Sequence, residues 1–124
     1  MSIKPQFAEA IVRGEKRFEF RRVVFARNVD IIVVYATVPV KRVIAEFDVL
    51  RIVRRRVSAL WDMTKEYAGI DEQYFRAYFR GREYGYAIEV GEVRVYEIPV
   101  CPIAEFGIRP PQSFAYLETP AAAG

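Results

Sequence analysis

The stretch Gly14-Glu15-Lys16-Arg17-Phe18-Glu19-Phe20-Arg21 decides how the first part of this chain folds. A glycine at its start is typical of a helix end, and the four residues from Phe18 alternate between apolar and charged side chains. Because successive side chains of a strand point to opposite faces, Phe18 and Phe20 share one face, and Glu19 and Arg21 share the other. The stretch therefore predicts a helix end, a turn and a strand that buries its phenylalanines.

The segments on either side extend this pattern. Upstream, Pro5 stands at the first position of a helix predicted over residues 5–13, whose apolar side chains recur at helical spacing. Downstream, we expect the first strand to cover residues 18–25 and a β-branched apolar run to form a strand over 31–38. Residues 40–53 then alternate as a strand with one wet face.

The middle of the chain changes period. Apolar spacing predicts a helix over residues 57–67 that ends before Gly69, and a second over 71–80 with Asp71 as its cap. The second helix is expected to face the core with four aromatic residues: Tyr74, Phe75, Tyr78 and Phe79. From Tyr84 the period returns to two, with a bulge or tight turn at Gly91-Glu92. At least five strands are expected, so the sequence predicts one domain over residues 1–124. Its fold class is α+β or mainly β, a small, mixed, partly closed barrel with short helices at its ends.

Composition excludes several classes of chemistry. The 124 residues include one cysteine and no histidine, so an internal disulfide, the usual zinc sites and histidine-based triads are excluded. We expect no metal and no cofactor. The longest apolar run, 31–40, is about half the ~20 residues that cross a bilayer, and no signal peptide is visible. A cytoplasmic protein without a membrane partner is therefore expected, and the scarcity of asparagine and glutamine favours a thermophilic source.

Positive charge is concentrated in two places. Between Arg13 and Arg27 there are six basic and two acidic side chains, a local net charge of +4, so the rest of the chain carries −1 of the total +3. A second cluster consists of Arg51 and residues 54–56, with no acidic residue among them. Localised positive charge favours a phosphate-bearing partner, although solvated surface arginines are the plain alternative.

The motif G-x-K-x-x-E-x-R at residues 14–21 resembles the signature of the ASCH (activating signal cointegrator homology) domain, a PUA-like family. The likeness extends over roughly the whole chain. It includes Ser2-Ile3-Lys4-Pro5 before the helix, the segment 35–40, Leu60-Trp61, Gly69-Ile70, and Pro110-Pro111-Gln112-Ser113-Phe114 near the end. The segments resemble the small, stand-alone prokaryotic members.

This resemblance implies a PUA-like barrel of five to six strands with a cleft beside the first helix, where the polar residues of the motif line a pocket for RNA or a nucleotide. Lys16, Glu19 and Arg21 are the central candidates. Lys16 would point an ammonium into the cleft, with a solvated surface charge as the alternative. Glu19 and Arg21 would bind ligand together with Lys16, or form a purely structural ion pair.

Seven further residues complete the candidate set. Lys4 would serve the same cleft or be a free cation near the chain end, and Arg22 lies on the opposite strand face. Thr37 would offer a hydroxyl or bond to backbone, whereas Tyr35 and Trp61 would stack on bases or pack in the core. By resemblance, Gln112 and Ser113 would close one side of the cleft, with a plain packing role as the alternative.

Three functions remain open. Binding of RNA or a nucleotide without catalysis is the first. The second is a small amidohydrolase acting on an N-acylated cytidine, with Lys16, Glu19 and Arg21 as its catalytic candidates. By the resemblance, hydrolytic members have a threonine at the position of Glu19, so their candidate nucleophile is missing from this chain. The third is a transcription regulator or adaptor with a protein partner in transcription or translation.

Overall fold

The computed structural model describes residues 1–25 and 28–101. The elements in chain order are β1 (Ser2–Ile3), α1 (Pro5–Val12), β2 (Phe18–Arg21), β3 (Ile31–Ala36), β4 (Arg42–Arg56), α2 (Val57–Thr64), a 3₁₀ turn (Lys65–Tyr67), α3 (Glu72–Tyr78) and β5 (Tyr84–Val100). The five strands form one sheet in the order β1-β3-β4-β5-β2. Its first pair, β1 with β3, is parallel and the other pairs are antiparallel.

The two edge strands, β1 and β2, approach each other. A side-chain nitrogen of Arg21, on β2, donates to the carbonyl oxygen of Ser2, on β1, at 3.0 Å. The sheet therefore curls until its edges are bridged by one side chain, without closing the strand-to-strand ladder. The predicted partly closed barrel of mixed strands is confirmed, and we call the gap between β1 and β2 the seam.

Each face of the sheet buries its own apolar cluster. The inner cluster includes Ile11 of α1, Val34, Phe47 and Ile88, all at most 1% exposed. The outer cluster lies on the opposite face, where α2 and α3 pack against β2, β4 and β5. It includes Phe18, Phe20, Val53, Leu60, Phe75, Phe79 and Ala87. The sheet is thus the middle layer of the molecule, and α1 covers the inner core.

Local sequence signals account for the helix boundaries. Pro5 begins α1, because its missing N–H costs nothing in a first helical turn, and Gly14 follows the helix with a positive φ of 79°. The Asp71 carboxylate accepts a hydrogen bond of 2.7 Å from the Tyr74 amide and caps α3. Both predicted features are confirmed.

The strands differ from the prediction mainly in length. The first long strand ends at Arg21 instead of Phe25, although Phe25 is still buried in the inner cluster. The predicted bulge is confirmed, because Val49 pairs with Val90 and Phe47 with Val93, which places one extra residue at Gly91-Glu92.

Within residues 1–25 and 28–101, no helix has the length and apolar character needed to span a bilayer. In the same ranges, no group of three or more cysteine, aspartate or glutamate side chains is placed to hold a metal ion.

Candidate functional site at the seam

Lys16, Glu19 and Arg21 form one buried cluster beside the seam. The Lys16 ammonium lies 3.5 Å from one Glu19 carboxylate oxygen, and Arg21 Nη1 lies 2.9 Å from the other. The side chains of Lys16, Glu19 and Arg21 are 1%, 6% and 13% exposed. Lys16 is therefore not a solvated surface charge, and the structure brings together the three central residues that the motif predicts.

The surroundings of Lys16 explain how a lysine is buried here. Its Nζ donates to the carbonyl oxygen of Ala68 at 2.6 Å and lies 4.9 Å and 5.6 Å from the ring centroids of Phe20 and Phe7. These contacts partly replace water, since ring faces attract cations. Burial nevertheless lowers the pKa of Lys16, and Arg21 lowers it further, while Glu19 opposes the shift.

Gly69 makes room for the lysine stem. It has a positive φ of 70°, and a Cβ at this position would collide with Cβ, Cγ and Cδ of Lys16. The backbone of the turn after the 3₁₀ segment therefore packs directly against the aliphatic part of the Lys16 side chain, with no space for a side chain at residue 69. This contact also positions the Ala68 carbonyl that accepts the hydrogen bond.

Arg21 links the cluster to the seam. Besides its ion pair with Glu19, Nη1 donates to the Phe20 carbonyl oxygen at 3.1 Å, and Nη2 donates to that of Ser2. The Nε atom is buried and has no hydrogen-bond acceptor within the part of the chain that the structure describes. One strong donor of the guanidinium is thus left for an additional acceptor.

The Met1 amino group belongs to the same electrostatic environment. It donates to the carbonyl oxygen of Val33 at 2.7 Å. Burial lowers its pKa to about 5, with a further decrease from Arg21 and a smaller opposing effect of Glu19. Its positive charge is therefore weakened, and Lys16, Glu19 and Arg21 are the ionisable side chains of the cluster.

Two exposed cations flank the cluster on tyrosines of α3. Lys4 Nζ donates to the Tyr74 hydroxyl at 3.1 Å. Arg22 Nε donates to the Tyr78 carbonyl oxygen at 2.7 Å, and its guanidinium carbon lies 4.7 Å from the centre of that ring. Tyr74 and Tyr78 are four residues apart and therefore share one face of the helix. The edge of the Phe7 ring packs against Tyr74, which connects Lys4 to the surroundings of Lys16.

The other predicted residues lie at different distances from the cluster. Tyr35 pairs in register with Ser2, and the Thr37 amide donates to the carbonyl oxygen of Ile3, so both lie on the β1 side of the seam. Trp61 is half-buried against Phe75 on the outer face, away from Glu19 and Arg21. Gln112 and Ser113 lie outside the described residues.

Sequence reasoning missed several contributors. The sequence reading made Tyr74 a core residue, but its side chain is exposed and holds Lys4. The carbonyl oxygens of Ser2 and Ala68 carry no side-chain signal at all. Gly69 was identified as a helix stop, and its positive φ agrees, but nothing in the sequence indicated that it packs on Lys16.

Comparison with known proteins establishes the family of the chain. Residues 1–98 match the family model of the ASCH domain. The chain belongs to the ASCH family. An ASCH domain-containing ribonuclease of Zymomonas mobilis is 35% identical over 121 residues, which cover 94% of this ASCH protein and 82% of the relative.

Solved structures support the same assignment of fold. The crystal structure of ASCH from Zymomonas mobilis superposes on this ASCH protein with a TM-score of 0.87 at 34% identity, covering 94% of this chain and 85% of that one. The structure of a single-site mutant of the Zymomonas protein gives the same TM-score and identity and is covered to 87%. The family and the fold predicted from the sequence are thus confirmed.

Proposed function

We propose that this ASCH protein binds single-stranded RNA and that Arg21 contacts a phosphate group at the seam. The observation that carries the proposal is the buried guanidinium whose Nε lacks an acceptor in the described chain. It belongs to a cluster in which two basic side chains face one carboxylate. Buried charge that exceeds its counter-charge is costly, so an anion at this point would be stabilised. A phosphate group at the exposed part of the guanidinium would supply the charge, and a rotation of this side chain would bring Nε to one of its oxygens as the missing acceptor.

The exposed fractions assign different roles to the three central residues. Arg21 is the most accessible of them and would touch the RNA, whereas Lys16 and Glu19 lie behind it and would hold it in position. Lys4 and Arg22, both exposed, would contribute positive potential at the rim. The name of the Zymomonas relative, a ribonuclease, supports RNA as the anion.

The test compares two arginine variants of equal charge. Binding of a fluorescently labelled single-stranded RNA is measured for wild type, Arg21→Ala and Arg13→Ala; Arg13 is exposed and paired with Glu9 and Glu15. We expect Arg21→Ala to weaken binding about tenfold or more and to lower the salt slope by about one unit. Arg13→Ala should change affinity by less than about twofold, since exposed pairs contribute little.

Two controls keep this test decisive. Melting curves establish that each variant is folded, and Arg21→Lys retains the charge while removing Nε and the planar fork. If folded Arg21→Ala binds RNA as tightly as Arg13→Ala does, Arg21 is not the RNA contact and the proposal is wrong.

RNA cleavage is a second candidate function, because the relative named a ribonuclease matches 94% of this chain. In cleavage by the neighbouring 2′-hydroxyl, that oxygen bonds to phosphorus, the bond to the 5′ oxygen breaks, and the proton lost by the 2′ oxygen is balanced by one gained by the 5′ oxygen. Arg21 would stabilise the negative charge that develops on the phosphate oxygens. Burial lowers the pKa of Lys16. This side chain lies behind Arg21 and would hold a proton within the cluster during the reaction.

Cleavage is tested with an RNA oligonucleotide and a copy carrying one 2′-deoxy nucleotide. We expect no cut at the deoxy position and a loss of at least about a hundredfold in rate for Arg21→Ala. Cutting at the deoxy position would contradict this route. N4-acetylcytidine in the same assay tests the amidohydrolase alternative. A cytoplasmic location, a thermophilic source, a role in transcription and a protein partner stay predictions.

A further inference from the structure

A row of arginine and tyrosine side chains starts at Arg21 and crosses the sheet. Arg21 on β2 lies opposite Tyr86 on β5, and Tyr86 lies opposite Arg54 on β4. Residues directly opposite in antiparallel strands project to the same face. In the neighbouring register position, Glu19, Ile88 and Ile52 form the parallel row, and Ile88 belongs to the inner cluster. The row of Arg21, Tyr86 and Arg54 is therefore on the inner face as well. It lies two residues along each strand from the row that contains Ile88.

The next register pair on that face, Arg56 with Tyr84, widens the row. The Arg54 guanidinium carbon lies 3.9 Å from the centre of the Tyr84 ring, and that of Arg56 lies 5.1 Å from it. Both arginines are exposed and Tyr84 is half-buried. A guanidinium this close to a ring centre makes a cation–π contact that restricts its motion.

The local charge is positive. Arg56 forms an ion pair with Glu83. Arg54 forms none with any acidic side chain among residues 1–25 and 28–101. Among the described residues, the surface thus combines the guanidinium of Arg54, which has no acidic partner, with the Tyr84 ring on which it lies. Tyr86 lies between Arg54 and Arg21 in the row.

We propose that Arg54, Tyr84 and Tyr86 form a strip that binds the RNA strand beyond the nucleotide held at Arg21. This inference rests on the proposed function and names a second contact region for the same ligand. Single-stranded nucleic acid is recognised by stacking of bases on aromatic rings and guanidinium planes, with cations along the backbone. An acidic peptide would use only the charge, so the tyrosines favour RNA as the occupant.

The geometry also sets a length requirement. Arg21 and Arg54 are separated by two strand spacings, about 10 Å. A dinucleotide held at Arg21 would reach Tyr86 but hardly Arg54, whereas an octanucleotide would cover both. The contribution of Arg54 should therefore appear only with the longer ligand.

The experiment uses two neighbouring arginines of β4. Arg55 follows Arg54 directly, is also exposed, and lies opposite Gly85 with its side chain on the other face of the sheet. Arg54→Ala and Arg55→Ala therefore remove the same charge from opposite faces. Binding of a single-stranded RNA dinucleotide and octanucleotide is measured for both variants and for wild type, with melting curves as the fold control.

We expect Arg54→Ala to weaken octanucleotide binding about tenfold and to leave dinucleotide binding unchanged. Arg55→Ala should change octanucleotide affinity less than about twofold. Equal losses in the two variants would overturn the strip while leaving Arg21 as a contact. Displacement of the octanucleotide by polyglutamate as effectively as by unlabelled RNA would also overturn it, because stacking would then play no part. If wild type binds neither RNA, the proposed function itself is wrong.

Discussion

At the scale of single residues, Lys16 shows how the motif residues act through burial. A lysine that is 1% exposed keeps its ammonium among a carbonyl oxygen, a carboxylate and two aromatic rings. These partners do not replace water fully, because burial is still the largest influence on its pKa and lowers it. Lys16 therefore contributes to positioning Arg21 at some cost to stability.

That cost predicts a pH dependence. Since the pKa of Lys16 is lower in the folded protein than its ordinary value of 10.5, the unfolded chain binds more protons in the range below 10.5. The free energy of unfolding should therefore rise as pH increases toward 10.5, relative to Lys16→Met, which has no proton to release. Urea unfolding of both proteins from pH 7 to 10 measures this difference. A difference that stays constant, or that falls with pH, would contradict a lowered pKa.

Gly69 is the second decisive residue, and Gly81 is its matched control. Both have a positive φ, 70° and 80°, but a Cβ at Gly81 would meet nothing within 4 Å, whereas at Gly69 it would collide with the Lys16 stem. We expect Gly81→Ala to cost about 1–2 kcal/mol from the backbone alone. Gly69→Ala should cost about 1–3 kcal/mol more, because overpacking is added. Equal losses in urea unfolding would show that Gly69 is not packed against Lys16.

At the scale of elements, alternation and spacing predicted most of the fold, including the burial of Phe18 and Phe20, but not that the opposite face of β2 is buried as well. Glu19 and Arg21 share a strand face, as the sequence pattern requires, yet that face is inside the barrel. The reason is long-range: β1, which pairs with β3, lies across the seam from β2 and is bridged to it by Arg21. No local pattern within residues 14–21 reveals that contact.

The helix α3 shows the same limit. Its apolar pattern predicted four aromatic residues facing the core, and Phe75 and Phe79 do so. Tyr74 instead supports Lys4, and Tyr78 supports Arg22. A tyrosine suits either environment, since its ring is apolar and its hydroxyl polar, so periodicity alone could not separate the two pairs.

At the scale of the whole molecule, one curled sheet separates two tasks. Its outer face is filled by aromatic packing under α2 and α3, which stabilises the fold. Its inner face is apolar in the middle. Toward one end of the strands it carries the basic and aromatic row of Arg21, Tyr86 and Arg54. We propose that a phosphate of RNA binds Arg21 at this transition, beside the seam.

The most direct measurement of that claim is the NMR signal of the Arg21 Nε–H group during titration with single-stranded RNA. This donor has no acceptor in the described chain, so a phosphate oxygen should shift its proton signal downfield and protect it from exchange with water. Arg13, paired on the surface, serves as the internal reference. We expect the Arg21 signal to move with RNA while the Arg13 signal stays in place. An Arg21 signal unchanged at saturating RNA, while signals of other arginines move, would contradict the account.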